Sequence, residues 1–118
     1  MAINITAKNV NKSYVHSEGK IKILQNLNLE LESSHSISIV GPSGSGKSTL
    51  LSLLGGLESA DSGDISILGN DLKNLSEKVL RELRCKKIGF IFQNFLLLEH
   101  LTALENIALP GLLAHDNN

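Results

Sequence analysis

The chain has 118 residues, which is enough for one small globular domain. Its net charge is −1, and its 42% hydrophobic and 19% charged residues are ordinary for a globular protein. So little net charge excludes a protein held to nucleic acid or anionic lipid by bulk electrostatics, and we expect no nucleic-acid partner. The lone Cys85 cannot form an internal disulfide, which favours a reducing compartment. The apolar runs are too short to span a bilayer, so we expect a soluble chain.

The first third of the chain predicts an antiparallel sheet. Ile3, Ile5 and Ala7 alternate with polar residues, which is the spacing of a half-buried strand. Residues 16–20, His-Ser-Glu-Gly-Lys, indicate a turn, and apolar residues at mostly odd positions continue from residue 21 to residue 32. The turn joins two strands that we expect to pair with each other.

From residue 37 onward, short apolar runs alternate with helical patterns. Residues 37–40 and 88–92 predict short buried strands, and residues 61–71 predict a strand between two turns. Residues 47–57 predict a helix, because apolar residues recur there at steps of three and four: Leu50, Leu51, Leu53, Leu54 and Leu57. This alternation favours an α/β core with a parallel sheet.

Two further helices are predicted near the end of the sequence. Residues 76–87 place Val79, Leu80 and Leu83 on one side and charged residues on the other. Thr102 and Glu105 lie three apart, which is the spacing of a capping box at a helix start. We expect Pro110 and Gly111 to interrupt that last helix, since proline lacks the N–H that the helix interior requires.

The segment from Gly41 to Ser48, Gly-Pro-Ser-Gly-Ser-Gly-Lys-Ser, matches the phosphate-loop pattern G-x-x-x-x-G-K-[ST]. Glycine permits positive φ angles and leaves no Cβ in the way of a ligand, so backbone N–H groups can converge on phosphate oxygens. Lys47 adds a full positive charge, and the Ser48 hydroxyl suits Mg²⁺. A flexible turn with Lys47 in solvent is the alternative, but the motif lies between a strand and a helix, which its chemistry requires.

The segments around this loop resemble the ATP-binding subunits of ABC transporters. The similarity extends through residues 40–51, 55–72 and 88–110, and it is closest to the branch of lipoprotein release and macrolide export. It implies an α/β fold, a P-loop NTPase core of ABC type with an N-terminal antiparallel β subdomain, truncated before the helical subdomain is complete. The implied boundaries are residues 1–35 for the antiparallel part, 36–93 for the core and 94–118 for the start of the helical subdomain.

The resemblance also implies roles for two residues outside the loop. Tyr14 matches the aromatic residue that stacks on adenine, whereas its sequence position alone favours a packed strand residue. Gln93 matches the glutamine that reaches Mg²⁺ and places the attacking water, although it could otherwise be a polar loop residue. The implied cofactor-binding residues are Tyr14, Gly41, Pro42, Ser43, Gly44, Ser45, Gly46, Lys47, Ser48 and Thr49. The implied catalytic residues are Lys47 and Gln93, and the metal ligands are Ser48 and Gln93.

The resemblance implies ATP and Mg²⁺ as cofactors, with a membrane permease and a second ATP-binding subunit as partners in the full-length form. The location it implies is cytoplasmic, at the inner face of the plasma membrane through the permease. Phe95 and Leu96–Leu98 follow Gln93 and are either core or permease interface. Ser34 and His35 stand where the family commonly has Gly-Glu, which affects a turn but removes no ligand group.

The family's hydrolytic site has parts that this sequence lacks. There is no strand ending in Asp followed by Glu, no LSGGQ-type signature and no later γ-phosphate-sensing His. A nucleotide-binding module without turnover is therefore the alternative to an active ATPase. A GTPase or a small-molecule kinase is the third possibility, but the base-reading N-K-x-D motif is not found, and Tyr14 and Gln93 favour the ABC type.

We expect the 118-residue chain to be poorly stable, because a parallel sheet without its later strands leaves an edge open and a core half covered. We also expect negligible ATPase activity, because the groups that position water lie outside these segments. A phosphate-release assay on the purified chain measures this. Steady release that Lys47→Ala abolishes would contradict the expectation.

Overall fold

The computed structural model describes residues 3–115 and divides the chain into two compact units, Met1–Ser76 and Glu77–Asn118. Residues 1–2 and 116–118, which the predicted domain boundaries include, lie outside the described residues. Each unit has its own elements and is described separately.

A four-stranded antiparallel sheet forms the first unit. Its strands are β1 (Ile3–His16), β2 (Gly19–Glu32), β3 (Ser62–Ile67) and β4 (Asn70–Asp71), in the spatial order β2-β1-β3-β4. The predicted turn between β1 and β2 is confirmed, with Gly19 at φ 132° after the turn residues. The predicted antiparallel sheet is therefore present, and β3 pairs directly with β1.

Irregularities in the β1–β2 register are stabilised by asparagine side chains. Asn9 and Asn26 have positive φ angles of 48° and 47°, which asparagine tolerates better than most residues. The Asn9 N–H donates to Asn28 Oδ1 at 3.0 Å, and the Asn26 N–H donates to Asn11 Oδ1 at 3.0 Å. These side-chain acceptors replace strand partners where the ladder is interrupted.

One helix, α1 (Lys47–Leu54), packs its apolar face against the sheet. Leu50, Leu53 and Leu54 are buried as the spacing predicted, whereas Leu51 and Leu57 are exposed and were wrongly assigned to the same face. The helix ends at Leu54, so Leu57 lies beyond it, and Leu51 points away from the sheet. The core that results combines α1 with residues of three strands: Ala7, Val10, Leu24, Leu50, Leu53, Leu54 and Ile65.

The second unit contains the helices α2 (Glu77–Lys87) and α3 (Ala103–His115). The predicted cap of α3 is confirmed: the Glu105 N–H donates to Thr102 Oγ1 at 3.1 Å, and the Thr102 hydroxyl donates to the Glu105 carboxylate at 3.0 Å. The predicted interruption at Pro110 is wrong, because α3 continues through Pro110 to His115. Proline's φ lies in the helical range, so the helix loses one hydrogen bond there without ending.

The two predicted parallel strands are not present as paired strands in the part of the chain that the structure describes. Residues 37–40 and 88–92 lack ladder partners, and Val40 is 88% exposed and Ile91 100% exposed. A parallel strand is stable only when neighbours satisfy its backbone groups and cover both faces. Ile39 still packs against the core of the first unit, so the apolar pattern there reflects partial burial.

We predict that Leu53→Ala destabilises the first unit by about 3 kcal/mol, because Leu53 is 0% exposed and its loss leaves a cavity. Leu51→Ala on the same helix is the matched control, since Leu51 is 54% exposed. Denaturant unfolding of both variants measures the difference. Equal effects of the two substitutions would contradict this packing.

Candidate nucleotide-binding site

The phosphate-loop motif forms an exposed loop that leads directly into α1. Gly44 and Gly46 adopt φ angles of 78° and 96°, the left-handed conformation for which glycine was predicted at these positions. The Ser45 N–H donates to the Pro42 carbonyl at 3.2 Å, which closes a turn inside the loop. The loop therefore has a tight backbone path with two positive-φ glycines and a hydrogen-bonded turn, which is typical of loops whose N–H groups form an anion site.

Gly46 has a second reason to be glycine, which sequence reasoning missed. A Cβ at this position would lie 2.7 Å from Ile23 Cγ2 and 3.3 Å from Leu24 Cδ2, both on β2. The loop backbone consequently packs directly on the sheet. The motif alone does not indicate this steric constraint at Gly46, because Ile23 is distant in the sequence.

The side chain of Lys47 extends back over the loop that precedes it. Its ammonium donates to the carbonyl oxygens of Gly41 and Pro42, each at 2.7 Å, and approaches Ser45 Oγ at 3.4 Å. The cation is thus held at the loop by neutral acceptors. A phosphate oxygen is a stronger acceptor for an ammonium than a carbonyl, so an anion bound here would compete successfully for these hydrogen bonds.

The N-terminus of α1 has no side-chain cap. Gly46 is the N-cap residue, the first turn contains no acidic residue, and the first bond that we find across it runs from the Leu50 N–H to the Gly46 carbonyl at 2.9 Å. The N–H groups of the first turn have no partner four residues earlier in the helix. Together with the helix dipole, they make a site that favours an anion.

The hydroxyl groups of the first turn fit a nucleotide-bound Mg²⁺ better than a metal site built by the protein alone. Ser48 is exposed and Thr49 is half-buried. Within residues 3–115, no group of three His, Cys, Asp or Glu side chains could hold a metal ion. Mg²⁺ commonly binds one or two protein ligands together with phosphate oxygens and water, so the Ser48 hydroxyl is compatible with that arrangement.

Tyr14 lies near the end of β1, opposite Ile21, and its side chain is half-buried and outside the core cluster. The phenol hydroxyl contacts both carboxylate oxygens of Glu58, at 3.0 Å and 2.9 Å. The Lys12 ammonium lies 5.4 Å from the centroid of the Tyr14 ring. The tyrosine is therefore held by two charged side chains.

Sequence reasoning missed Lys12 and Glu58 as neighbours of Tyr14. Lys12 could have been suspected, because residues two apart on a strand commonly share a face. Glu58 is 44 residues from Tyr14, and no local pattern indicates that pairing.

Gln93 belongs to the second unit, where it lies in a turn and is exposed. The Phe95 N–H donates to the Phe92 carbonyl at 3.1 Å within the same turn. Phe95 and Leu96–Leu98 are exposed, so within their own unit they do not form a core. The structure brings the loop residues 41–49 together in the first unit, which also contains Tyr14.

The comparisons with known proteins all indicate the same family. The model of the ABC transporter family matches residues 24–118. The macrolide export ATP-binding/permease protein MacB of Pasteurella multocida is 43% identical over 108 residues, which cover 92% of this chain and 17% of MacB. The lipoprotein-releasing system ATP-binding protein LolD of Wigglesworthia glossinidia brevipalpis is 45% identical over 111 residues, which cover 94% of this chain and 48% of LolD.

Two further comparisons extend this result. The methionine import ATP-binding protein MetN of Clostridioides difficile is 46% identical over 106 residues, which cover 90% of this chain and 32% of MetN. The ATP-binding cassette MJ0796, solved as a dimer in a post-hydrolysis state bound to ADP and Pi, is 42% identical with a TM-score of 0.88, covering 93% of this chain and 47% of that chain. The chain spans half or less of the length of these proteins.

An antiparallel sheet packed on a helix that begins at a phosphate loop is the architecture of an ABC-type nucleotide-binding module. The chain belongs to the ABC transporter family, among its ATP-binding subunits. The resemblance and the ABC-type fold class with its N-terminal antiparallel sheet are both confirmed, although the two parallel strands expected in the core are not paired among the described residues. Within the described residues, no helix combines the length and apolarity needed to cross a membrane.

We predict that Gly46→Ala destabilises the first unit more than Gly44→Ala does. Both positions have positive φ, which costs alanine about 1–2 kcal/mol, but only at Gly46 would the new Cβ overlap a neighbour. Denaturant unfolding without nucleotide measures the difference. Equal destabilisation would show that the contact with Ile23 does not constrain the loop.

Proposed function

We propose that this chain binds ATP with Mg²⁺ as the nucleotide-binding part of an ABC transporter. The observation that carries the proposal is the loop from Gly41 to Gly46, which leads into the uncapped N-terminus of α1 with the Lys47 ammonium held across it. Backbone N–H groups, a helix dipole and a cation all favour a polyphosphate at one place.

The loop, the first turn of α1 and Tyr14 have different roles in the proposed complex. The backbone N–H groups of the loop and of the first turn of α1 donate to phosphate oxygens, and Lys47 donates to the terminal phosphates. The Ser48 hydroxyl would hold the metal, and the Thr49 hydroxyl would donate to phosphate. Bound Mg²⁺ neutralises phosphate charge. The aromatic face of Tyr14 receives adenine, which needs only a flat π surface.

Hydrolysis requires groups that these 118 residues do not contain, namely an Asp-Glu pair at a strand end, a signature segment and a sensing histidine. We propose that coupling of hydrolysis to export or lipoprotein release is a property of the full-length form, in which Gln93 helps to place the attacking water. The second candidate is a nucleotide-binding module without turnover, and measuring nucleotide binding and phosphate release on the same chain distinguishes the two.

The proposed partners are a permease and a second ATP-binding subunit. MJ0796 was solved as a dimer, and MacB is named as both ATP-binding protein and permease, which supports this pairing. We propose that the permease places the chain at the cytoplasmic face of the membrane. The exposed apolar residues Phe95–Leu98 of the second unit are a suitable surface for that contact. By name, the relatives include an import ATP-binding protein, MetN, and an export protein, MacB, so we propose that the permease sets the direction of transport.

We predict that Lys47→Ala weakens ATP binding by about tenfold or more, since it removes the only full charge of the loop. Lys8→Ala is the control, because Lys8 is an exposed lysine of β1. Equilibrium titration of the purified chain with Mg-ATP measures both variants. Equal affinities for Lys47→Ala and the unsubstituted chain would contradict the proposed function.

A further inference from the structure

We propose that Glu58 and Lys12 are positioning residues that orient the Tyr14 ring, and that they thereby set the affinity of the site for the base of the nucleotide. This inference rests on the proposed binding of ATP through Tyr14 and the phosphate loop. It concerns two charged side chains that touch Tyr14 and lie outside the loop.

The Glu58 carboxylate restrains the axis of the Tyr14 side chain. The phenol hydroxyl lies 3.0 Å from one carboxylate oxygen and 2.9 Å from the other, and a hydrogen bond to a charged acceptor is stronger than one between neutral groups. The phenol oxygen lies on the axis about which the ring rotates. The contact therefore holds the direction of the side chain but leaves the plane of the ring free.

Lys12 restrains that plane. Its ammonium lies 5.4 Å from the ring centroid, within the range in which a cation is attracted to an aromatic face. The ammonium is itself held by the Ser59 carbonyl at 2.8 Å and by the Asp61 carboxylate at 3.7 Å, and the Lys12 side chain is only 15% exposed. A cation fixed in this way covers one face of the ring, so the base stacks on the opposite face.

The anchor of Tyr14, Glu58, lies four residues beyond the end of α1, the helix that follows the phosphate loop. The N–H groups of Leu57 and Glu58 donate to the Ser52 carbonyl at 2.9 Å and 3.3 Å, which folds this segment back onto the end of α1. Because α1 begins at Lys47, one helix presents the phosphate-binding groups at its start and positions the Tyr14 anchor at its end. The helix, about 12 Å long, therefore lies between the phosphate-binding groups and the segment that carries the anchor.

A double-substitution cycle separates this role from a merely structural one. The purified chain and its Tyr14→Phe, Glu58→Ala and doubly substituted forms are titrated with Mg-ATP and, separately, with inorganic tripolyphosphate, which has no base. We expect each single substitution to weaken ATP binding about five- to tenfold and the double substitution to weaken it no further, because both remove the same contact. Tripolyphosphate binding stays within about twofold, since the phosphate loop is unchanged.

Two further variants complete the design. Lys12→Met keeps the length of the side chain but removes its charge, and we expect it also to weaken ATP selectively. Glu30→Ala removes an exposed carboxylate of β2 and serves as the control, with no change for either ligand.

Several results would overturn the proposal. Equal losses for ATP and tripolyphosphate in Glu58→Ala would show that Glu58 only supports the fold, and additive losses in the double form would show that it does not act through Tyr14. If Tyr14→Ala weakens ATP but Tyr14→Phe and Glu58→Ala do not, the positioning role is wrong while the adenine assignment stands. If Tyr14→Ala leaves ATP binding unchanged, or the unsubstituted chain binds neither ligand, the proposed function itself fails.

Discussion

The contact on which the first unit depends is the burial of one face of α1 against the antiparallel sheet. Leu53 is completely buried between the helix and the strands, and Leu50 and Leu54 lie on either side of it. A helix of eight residues is too short to be stable in water alone, so this packing is what keeps α1 helical. Burial of the apolar face therefore stabilises the helix whose uncapped N-terminus follows the phosphate loop.

The packing of α1 on the sheet also positions the phosphate loop. Gly46 leaves room for Ile23 and Leu24 of β2, so the backbone of the loop rests on the sheet at the point where the helix begins. A similar steric constraint applies to Gly63, where β3 pairs with the irregular part of β1. A Cβ at Gly63 would lie 2.4 Å from the Asn9 carbonyl oxygen. At both sites the absence of a Cβ allows the backbone to pack closely against its neighbours, and at Gly46 this places the phosphate loop against β2.

A polar layer joins the end of β1 to the segment that leaves α1. The Ser13 N–H donates to the Asp61 carboxylate at 2.7 Å, Lys12 reaches the Ser59 carbonyl, and Tyr14 donates to Glu58. These contacts connect the strand that carries the aromatic residue to the helix that carries the loop. Proposed base recognition and proposed phosphate recognition are thereby coupled through the order of one short segment, residues 58–61.

Local patterns in the sequence were sufficient for the hairpin of β1 and β2, the start of α1 at Lys47 and the Thr102 cap of α3, because each depends on residues a few positions apart. The phosphate loop was recognisable for the same reason. Long-range packing determined the rest: which leucines α1 buries, why Gly46 must lack a Cβ, and that Glu58 and Lys12 hold Tyr14. The strands expected at residues 37–40 and 88–92 also depend on long-range pairing, since apolar composition alone provides no hydrogen-bond partner.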